Sequence, residues 1–145
     1  MALQVVGLAA VAGSALVGPR LPVGLRPPAR AAGVVLFAAG AWLAAPALRQ
    51  LGRHLTPLPR PTEDAELVEA GRYAVVRHPI YGGLVLLSTG VSLLSTRPHA
   101  LASSAALAVF LRLKAGHEEE LLLERFPAYA AYRRRTPHLL LPALL

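Results

Sequence analysis

The residues best suited to chemistry lie in two polar segments, each beside an apolar run. The first, residues 77–83, reads Arg-His-Pro-Ile-Tyr-Gly-Gly. Proline suits the first position of a helix, which needs no N–H donor, and it drives the residue before it into an extended conformation. We therefore expect His78 at the mouth of a helix beginning at Pro79, where free N–H groups favour a carboxylate or a phosphate. Gly82 and Gly83 let a ligand or a second helix approach closely.

The second polar segment is Glu118-Glu119-Glu120, preceded by Lys114 and His117. Three carboxylates beside a membrane span are costly unless they are hydrated or paired. On a helix, Glu119 is rotated by about 100° from Glu118, so one carboxylate can face inward while a neighbour faces water. All eight acidic residues lie either in this region or in residues 63–69.

The residue types exclude several kinds of site. The chain has no cysteine, so thiolate chemistry and cysteine-ligated zinc are excluded. His117 lacks a second histidine at the spacing of a helical metal site, and we expect no metal. Neither the glycine pattern of a Rossmann site nor the nucleophile motif of a hydrolase occurs.

The elements that must position these residues are apolar helices. Hydrophobic residues make up 54% of the 145 residues, which leaves few polar residues to cover a soluble domain of this size. No Lys or Arg precedes the first apolar run, which argues for a span rather than a secretory signal peptide. We predict an all-α integral membrane protein with about four transmembrane helices. The apolar runs cover residues 2–17, 31–48, 80–95 and 100–113.

The last two runs are shorter than the roughly 20 residues that cross a bilayer. We expect them to form a helical hairpin that turns at Pro98. The fourth helix should continue to Arg125, because only Gly116 interrupts the helix-forming residues. A short interfacial helix is expected over residues 63–70, and the apolar residues 139–145 suit a segment lying in the membrane interface.

The whole chain is expected to form a single membrane domain with a basic and apolar C-terminal tail. Its expected parts are two N-terminal spans (1–51), a cytoplasmic connection (52–79), a helical hairpin with the motifs (80–125) and the tail (126–145).

Basic residues orient the predicted spans. The connection after the second span holds five Lys or Arg and the segment after residue 111 holds six, against four in the other two connections. Because basic segments stay in the cytoplasm, we expect both motifs on the cytoplasmic face of the cell (inner) membrane. The net charge of +7 lies at the edges of apolar runs, where it suits lipid headgroups rather than nucleic acid.

A longer pattern runs through residues 70–142. Gly71 and Tyr73 precede a His-Pro-x-Tyr-x-Gly element at 78–83, and Glu118-Glu119 is followed by Phe126, Tyr129, Tyr132 and the basic residues 133–135. This pattern resembles the isoprenylcysteine carboxyl methyltransferase and phospholipid methyltransferase superfamily of membrane enzymes. The N-terminal half is similar only in being apolar.

The resemblance implies an enzyme that transfers a methyl group from S-adenosylmethionine at the cytoplasmic membrane face. The implied acceptor is membrane-associated or lipophilic and carries a carboxylate, an amine or a thiol. A carboxylate acceptor needs a cation near the methyl group, for which Arg77, Arg112 and Arg133 are candidates. The resemblance also implies that the cytoplasmic C-terminal tail takes part in binding the cofactor. The residues implied to bind the cofactor are Tyr73, His78, Pro79, Tyr81, Gly83, Glu118 and Glu119.

The cofactor's groups suit these residue types. The helix start at Pro79 suits its carboxylate, Glu118 or Glu119 suits its ammonium or ribose diol, and the Tyr81 ring suits its sulfonium cation. Two alternatives stay open, a non-catalytic membrane partner protein of the same fold and a membrane reductase of related architecture. A transporter would place a buried charge near the middle of a span, and the one Asp, Glu, Lys or Arg within the four runs, Arg112, lies at the end of the fourth.

Overall fold

The computed structural model describes residues 2–52 and 67–142, and all its regular structure is helical. Residues 2–52 and 67–142 contain no β-strand, so the prediction of an all-α chain is confirmed for them. Two short 3₁₀ turns, Val23–Leu25 and Gly71–Ala74, precede α2 and α3. The α-helices are α1 (Ala2–Leu16), α2 (Arg26–Leu51), α3 (Pro79–Ser95), α4 (Pro98–Arg125) and α5 (Tyr129–Arg135).

The helix lengths fit a membrane protein. Among the described residues, one helical stretch, Val23–Leu51, is long and apolar enough to cross a membrane. Two shorter apolar helices, Leu3–Leu16 and Pro79–Ser95, accompany it. The number of complete crossings, expected to be about four, stays a prediction.

Helix α2 begins earlier than the apolar run that predicted it. It starts at Arg26, five residues before residue 31, with prolines in its first turn. The N–H groups in the first turn of a helix have no acceptor within the helix, so a proline there costs no hydrogen bond. Pro27 and Pro28 therefore lie inside the helix that they were expected to precede. The Arg26 side chain closes the turn by donating from Nε to the Leu21 carbonyl at 2.9 Å.

Helices α3 and α4 are joined by two residues and pack against each other. The turn lies at Thr96, which has a left-handed backbone (φ 56°), and Arg97 is extended. Pro98 is therefore the first residue of α4 rather than the centre of the turn. The prediction that this helix continues to Arg125 is confirmed, and Gly116 lies within it.

Helix α3 lies at the centre of the bundle and contacts α1, α2 and α4. Its contact with α2 is close because glycines face each other. A methyl group added at Gly40 would lie 2.8 Å from the Gly83 carbonyl oxygen, and one added at Gly90 would lie 2.9 Å from the Gly33 carbonyl oxygen. Small residues at such crossings let membrane helices pack backbone to backbone.

The C-terminal segment packs into the bundle, which corrects the prediction that it lies in the membrane interface. Leu140 is 1% exposed and packs with Leu139 against Ala115 and Tyr81. The N–H groups of Arg77 and His78 donate to the carbonyls of His138 and Leu139, at 3.0 and 2.8 Å. Backbone N–H groups just before a helix need acceptors, and this segment supplies them.

The predicted interfacial helix lies partly outside the described residues, which exclude 53–66. Residues 67–70 are not helical, and Gly71 (φ 62°) begins a 3₁₀ turn rather than ending an α-helix. Residues 143–145 of the predicted apolar tail also lie outside the described residues.

Candidate active site

The two polar segments meet at the point where α3 begins. The start of α3 lies beside Glu118 and Glu119 in the last turns of α4, and α5 contacts α4. We use the name start-of-α3 cluster for the side chains that meet there, which are Arg77, His78, Tyr81, Lys114, Glu118, Glu119 and Tyr129.

Glu119 is the buried carboxylate of the cluster, with 4% of its surface exposed. It accepts from Arg77 twice, from Nε to Oε1 and from Nη2 to Oε2 at 3.3 Å. The Tyr129 hydroxyl donates to Oε1 at 3.0 Å, and Arg133 Nε lies 3.5 Å from Oε2. A buried charge is tolerated only when it is paired and hydrogen-bonded. Glu119 meets both conditions.

Arg77 connects three segments of the chain. Besides Glu119 on α4, its Nη1 donates to the carbonyls of Thr136 at 2.7 Å and Pro137 at 2.6 Å. The residue is 8% exposed, so its guanidinium is an internal tie rather than a group that reaches toward water. Arginine suits this role because its planar fork offers five donors in fixed directions.

Glu118 belongs to a second group of contacts and has fewer hydrogen-bond and ion-pair partners among the described residues than Glu119 has. The Tyr81 hydroxyl donates to its Oε1 at 2.7 Å, and Lys114 Nζ lies 3.2 Å from the same oxygen. Lys114 also donates to the Tyr81 hydroxyl at 2.5 Å and to Gln4 of α1 at 3.3 Å. Its Nζ lies 4.7 Å from the centre of the Tyr81 ring, within reach of a cation–π interaction.

His78 lies between the two carboxylates. Its ring stacks on Tyr81 with centroids 5.6 Å apart, and its nitrogens are 3.8 Å from Glu118 and from Glu119. Burial lowers the pKa of His78 to about 4, although the Glu119 charge opposes this shift. His78 is therefore neutral at pH 7. Its buried Nε2 has no hydrogen-bond partner among the residues that the structure describes.

Tyrosines of α5 and of the 3₁₀ turn before α3 support the cluster. The Tyr132 hydroxyl donates to the Tyr73 carbonyl at 2.7 Å, and burial raises the pKa of Tyr73 to about 12. Burial and the Glu119 charge also raise the pKa of Tyr129. These phenols are hydrogen-bond donors at neutral pH rather than bases.

The structure brings together five of the residues singled out from sequence, namely Arg77, His78, Tyr81, Glu118 and Glu119. Pro79 is buried as the first residue of α3, and Tyr73 is buried behind α5. Gly83 faces α2, where an added methyl group would lie 2.8 Å from the Gly40 carbonyl oxygen. Arg112 is exposed on α4 and, within the described part of the chain, makes no hydrogen bond or ion pair with the cluster.

Sequence reasoning placed Lys114 beside the glutamates without giving it a role, and it missed Gln4 of α1, which contacts the cluster. Lys114 stands four residues before Glu118, and this spacing on a helix is a recognisable ion-pair signal. Gln4 carries no such signal, because only the packing of α1 on α4 brings it to Lys114.

The donor set fits S-adenosylmethionine. Glu118 and the Tyr81 face suit a cation, and the unpartnered His78 nitrogen can form a hydrogen bond with a polar group of a ligand. The carboxylates and the helix start are also the features that the sequence resemblance assigned to this cofactor.

Comparison with known proteins places the chain in a family. The phospholipid methyltransferase family matches residues 28–128, which is more than half of the chain. The match includes α3, α4, both polar motifs and all but the first two residues of α2. No curated protein matches the chain. The predicted resemblance is thereby confirmed, together with the enzyme class and the cofactor. The chain belongs to the phospholipid methyltransferase family, whose members are membrane methyltransferases that use S-adenosylmethionine.

Proposed function

We propose that this chain methylates the amine headgroup of a membrane phospholipid, with S-adenosylmethionine bound at the start-of-α3 cluster. The observation that carries the proposal is the meeting of two carboxylates, an aromatic face and an unpartnered buried histidine nitrogen at one end of the bundle. Family membership supports a phospholipid acceptor, and the amine is the commonest methylatable nucleophile of a phospholipid headgroup.

In this proposal each cofactor-binding residue has a role that its contacts support. Glu118 neutralises a cationic group, the Tyr81 ring lies against that cation, and His78 Nε2 forms a hydrogen bond with a polar group of the cofactor. When bound, S-adenosylmethionine would supply a methyl group. The acceptor's lone pair would form the new bond to the methyl carbon, and the electron pair of the carbon–sulfur bond would stay on the sulfur. Burial of the cluster excludes water, which favours a positioned transfer.

The basic surface beside the cluster supports a phosphate-bearing acceptor. The Arg133 side chain is 51% exposed while its Nε lies 3.5 Å from Glu119, so it links the buried site to the surface. Arg134 and Arg135 continue the basic stretch on α5. Arginine binds phosphate through paired N–H donors, so a lipid phosphate at α5 would bring the headgroup amine toward the cluster.

The wider arrangement that we propose is one four-span domain, divided as the sequence suggested, with the cluster facing the cytoplasm. The excess of basic residues after the second and fourth runs supports this orientation. In this arrangement a lipid acceptor can reach the cluster sideways from the bilayer.

The first test is calorimetric titration of the detergent-purified chain with S-adenosylhomocysteine, beside Glu118→Ala and Glu120→Ala variants. Glu120 is a matched control because it lies on the same helix, with its side chain 76% exposed. We expect binding by the wild type and by Glu120→Ala, and weaker binding by Glu118→Ala. A folded wild-type protein that binds no S-adenosylhomocysteine would refute the cofactor site.

The second test supplies vesicles and cofactor carrying a labelled methyl group. We expect label in lipids with a primary amine headgroup, and none in matched lipids whose headgroup nitrogen is already fully methylated. Cofactor binding without label in amine lipids would refute the proposed acceptor while leaving the cofactor site intact.

A further inference from the structure

The Lys114 ammonium occupies the place, between the Tyr81 ring and Glu118, where the cation of the cofactor would bind. We call this place the seat. Its Nζ is 4.7 Å from the centre of the Tyr81 ring and 3.2 Å from Glu118 Oε1. An aromatic face with a carboxylate beside it is a general recognition site for a cation. A sulfonium group cannot donate an N–H hydrogen bond, so it depends on this kind of seat.

We propose that Lys114 is an internal stand-in for the sulfonium of S-adenosylmethionine, and that its ammonium moves toward Gln4 when the cofactor binds. The inference rests on the proposed cofactor site and adds two residues to it. It follows because two cations cannot share the seat between Tyr81 and Glu118. Lys114 then sets how strongly the site prefers a charged cofactor to its uncharged thioether product.

The ion pair explains why a cation is kept at this position. The Glu118 side chain is only 15% exposed, and a largely buried carboxylate without a partner is strongly unfavourable. Lys114 supplies the counter-charge from the same helix, one turn away. When the sulfonium supplies that charge instead, the lysine is free to leave.

Gln4 provides the position to which Lys114 can move. Its Oε1 already lies 3.3 Å from Lys114 Nζ, and the four-carbon stem of lysine lets the ammonium shift without moving the helix. Gln4 lies on α1, before residue 28, where the family match begins. Helix α1 is thereby part of the cofactor site, which neither motif includes.

The test compares S-adenosylmethionine with S-adenosylhomocysteine by calorimetry on the full-length chain. The two ligands share their carboxylate, ammonium and ribose, so the ratio of their dissociation constants isolates the sulfonium. In Lys114→Met we expect the preference for S-adenosylmethionine to rise by about tenfold, because the competing cation is gone. Arg30→Met is the control, since it removes the same charge from an exposed residue of α2 that makes no contact with the cluster in the described structure.

Gln4→Leu gives an independent test without a change of charge. Removing the acceptor for the displaced ammonium should lower the preference for S-adenosylmethionine by about threefold, which is the effect of one hydrogen bond. This variant keeps the Lys114–Glu118 pair, so it also serves if Lys114→Met does not fold.

The outcomes separate this inference from the proposed function. If the wild type binds both ligands but neither variant changes their ratio, the stand-in role is wrong and the cofactor site stands. Equal strengthening of both ligands in Lys114→Met would also overturn it, because the seat would then hold the shared ammonium. If the wild type binds neither ligand, the cofactor site itself is wrong.

Discussion

Replacing Arg77 by methionine is expected to destabilise the fold strongly, because this side chain ties α4 and the C-terminal segment to the start of α3. The variant leaves the Glu119 carboxylate buried without its main counter-charge. It also leaves the carbonyls of Thr136 and Pro137 without the donor that lies 2.7 and 2.6 Å away. Removing one partner of a buried ion pair costs about 3–5 kcal/mol.

The Arg133→Met variant is the matched control for this prediction. Arg133 pairs with the same carboxylate, but its side chain is 51% exposed. An exposed ion pair contributes about 0–1 kcal/mol, so this variant should lose little stability. Comparing the two arginines on one acceptor separates the effect of burial from the effect of charge.

The assay is reversible denaturation in mixed detergent micelles, followed by circular dichroism. An Arg77→Met/Glu119→Leu double variant should recover part of the loss, because it removes the unpaired buried charge as well as its partner. The reasoning is refuted if Arg77→Met loses no more stability than Arg133→Met, or if the double variant is as unstable as the sum of the single ones.

Three further predictions concern acid stability, helix packing and the support of Glu119. Because burial puts the pKa of His78 at about 4 in the folded state, below roughly 6.5 when unfolded, the unfolded chain binds more protons between these values. Stability should therefore fall as the pH drops from about 6.5 to 4. In pH-dependent denaturation the His78→Gln variant should lack this fall in stability, and a variant with the wild-type pH profile would contradict the prediction. Gly83→Ala should cost about 1–3 kcal/mol by crowding α2, whereas Gly13→Ala, where nothing lies within 4 Å of an added methyl group, should not lower the melting temperature; equal melting temperatures would contradict this packing. Tyr129→Phe removes the 3.0 Å hydrogen bond to Glu119 and should cost about 1.5–3 kcal/mol in the same denaturation assay, and a loss below that of Arg133→Met would argue against this support.

The sequence was sufficient to predict the family and four of the five α-helices in the described residues, whereas α5 was expected only as part of a basic tail. Apolar runs bounded by proline and charge predicted α1, α3 and α4, and the helix start at Pro79 followed from the fixed geometry of proline. These features depend on residues close together in the chain, so local pattern determines them. Where the prediction was wrong, as at Arg26, local chemistry allowed two outcomes, because proline either precedes a helix or begins one.

The sequence also identified most of the residues that form the cluster, but not how they pair. The family resemblance implied that His78, Glu118 and Glu119 belong to one site, and it left Arg77 as a candidate cation beside them. It did not show that the Arg77 guanidinium donates to Glu119 and to two backbone carbonyls. It also did not show that Gly83 packs against α2.

Only the tertiary structure decided which distant segments meet. Leu139 and Leu140 are apolar enough for a membrane interface, yet they pack against Tyr81, because the N–H groups of Arg77 and His78 donate to the carbonyls of His138 and Leu139. Gln4 reaches Lys114 only because α1 packs along α4. Such contacts depend on which faces of the helices pack together. The residues adjacent in the sequence do not determine that packing, so local pattern cannot predict the contacts.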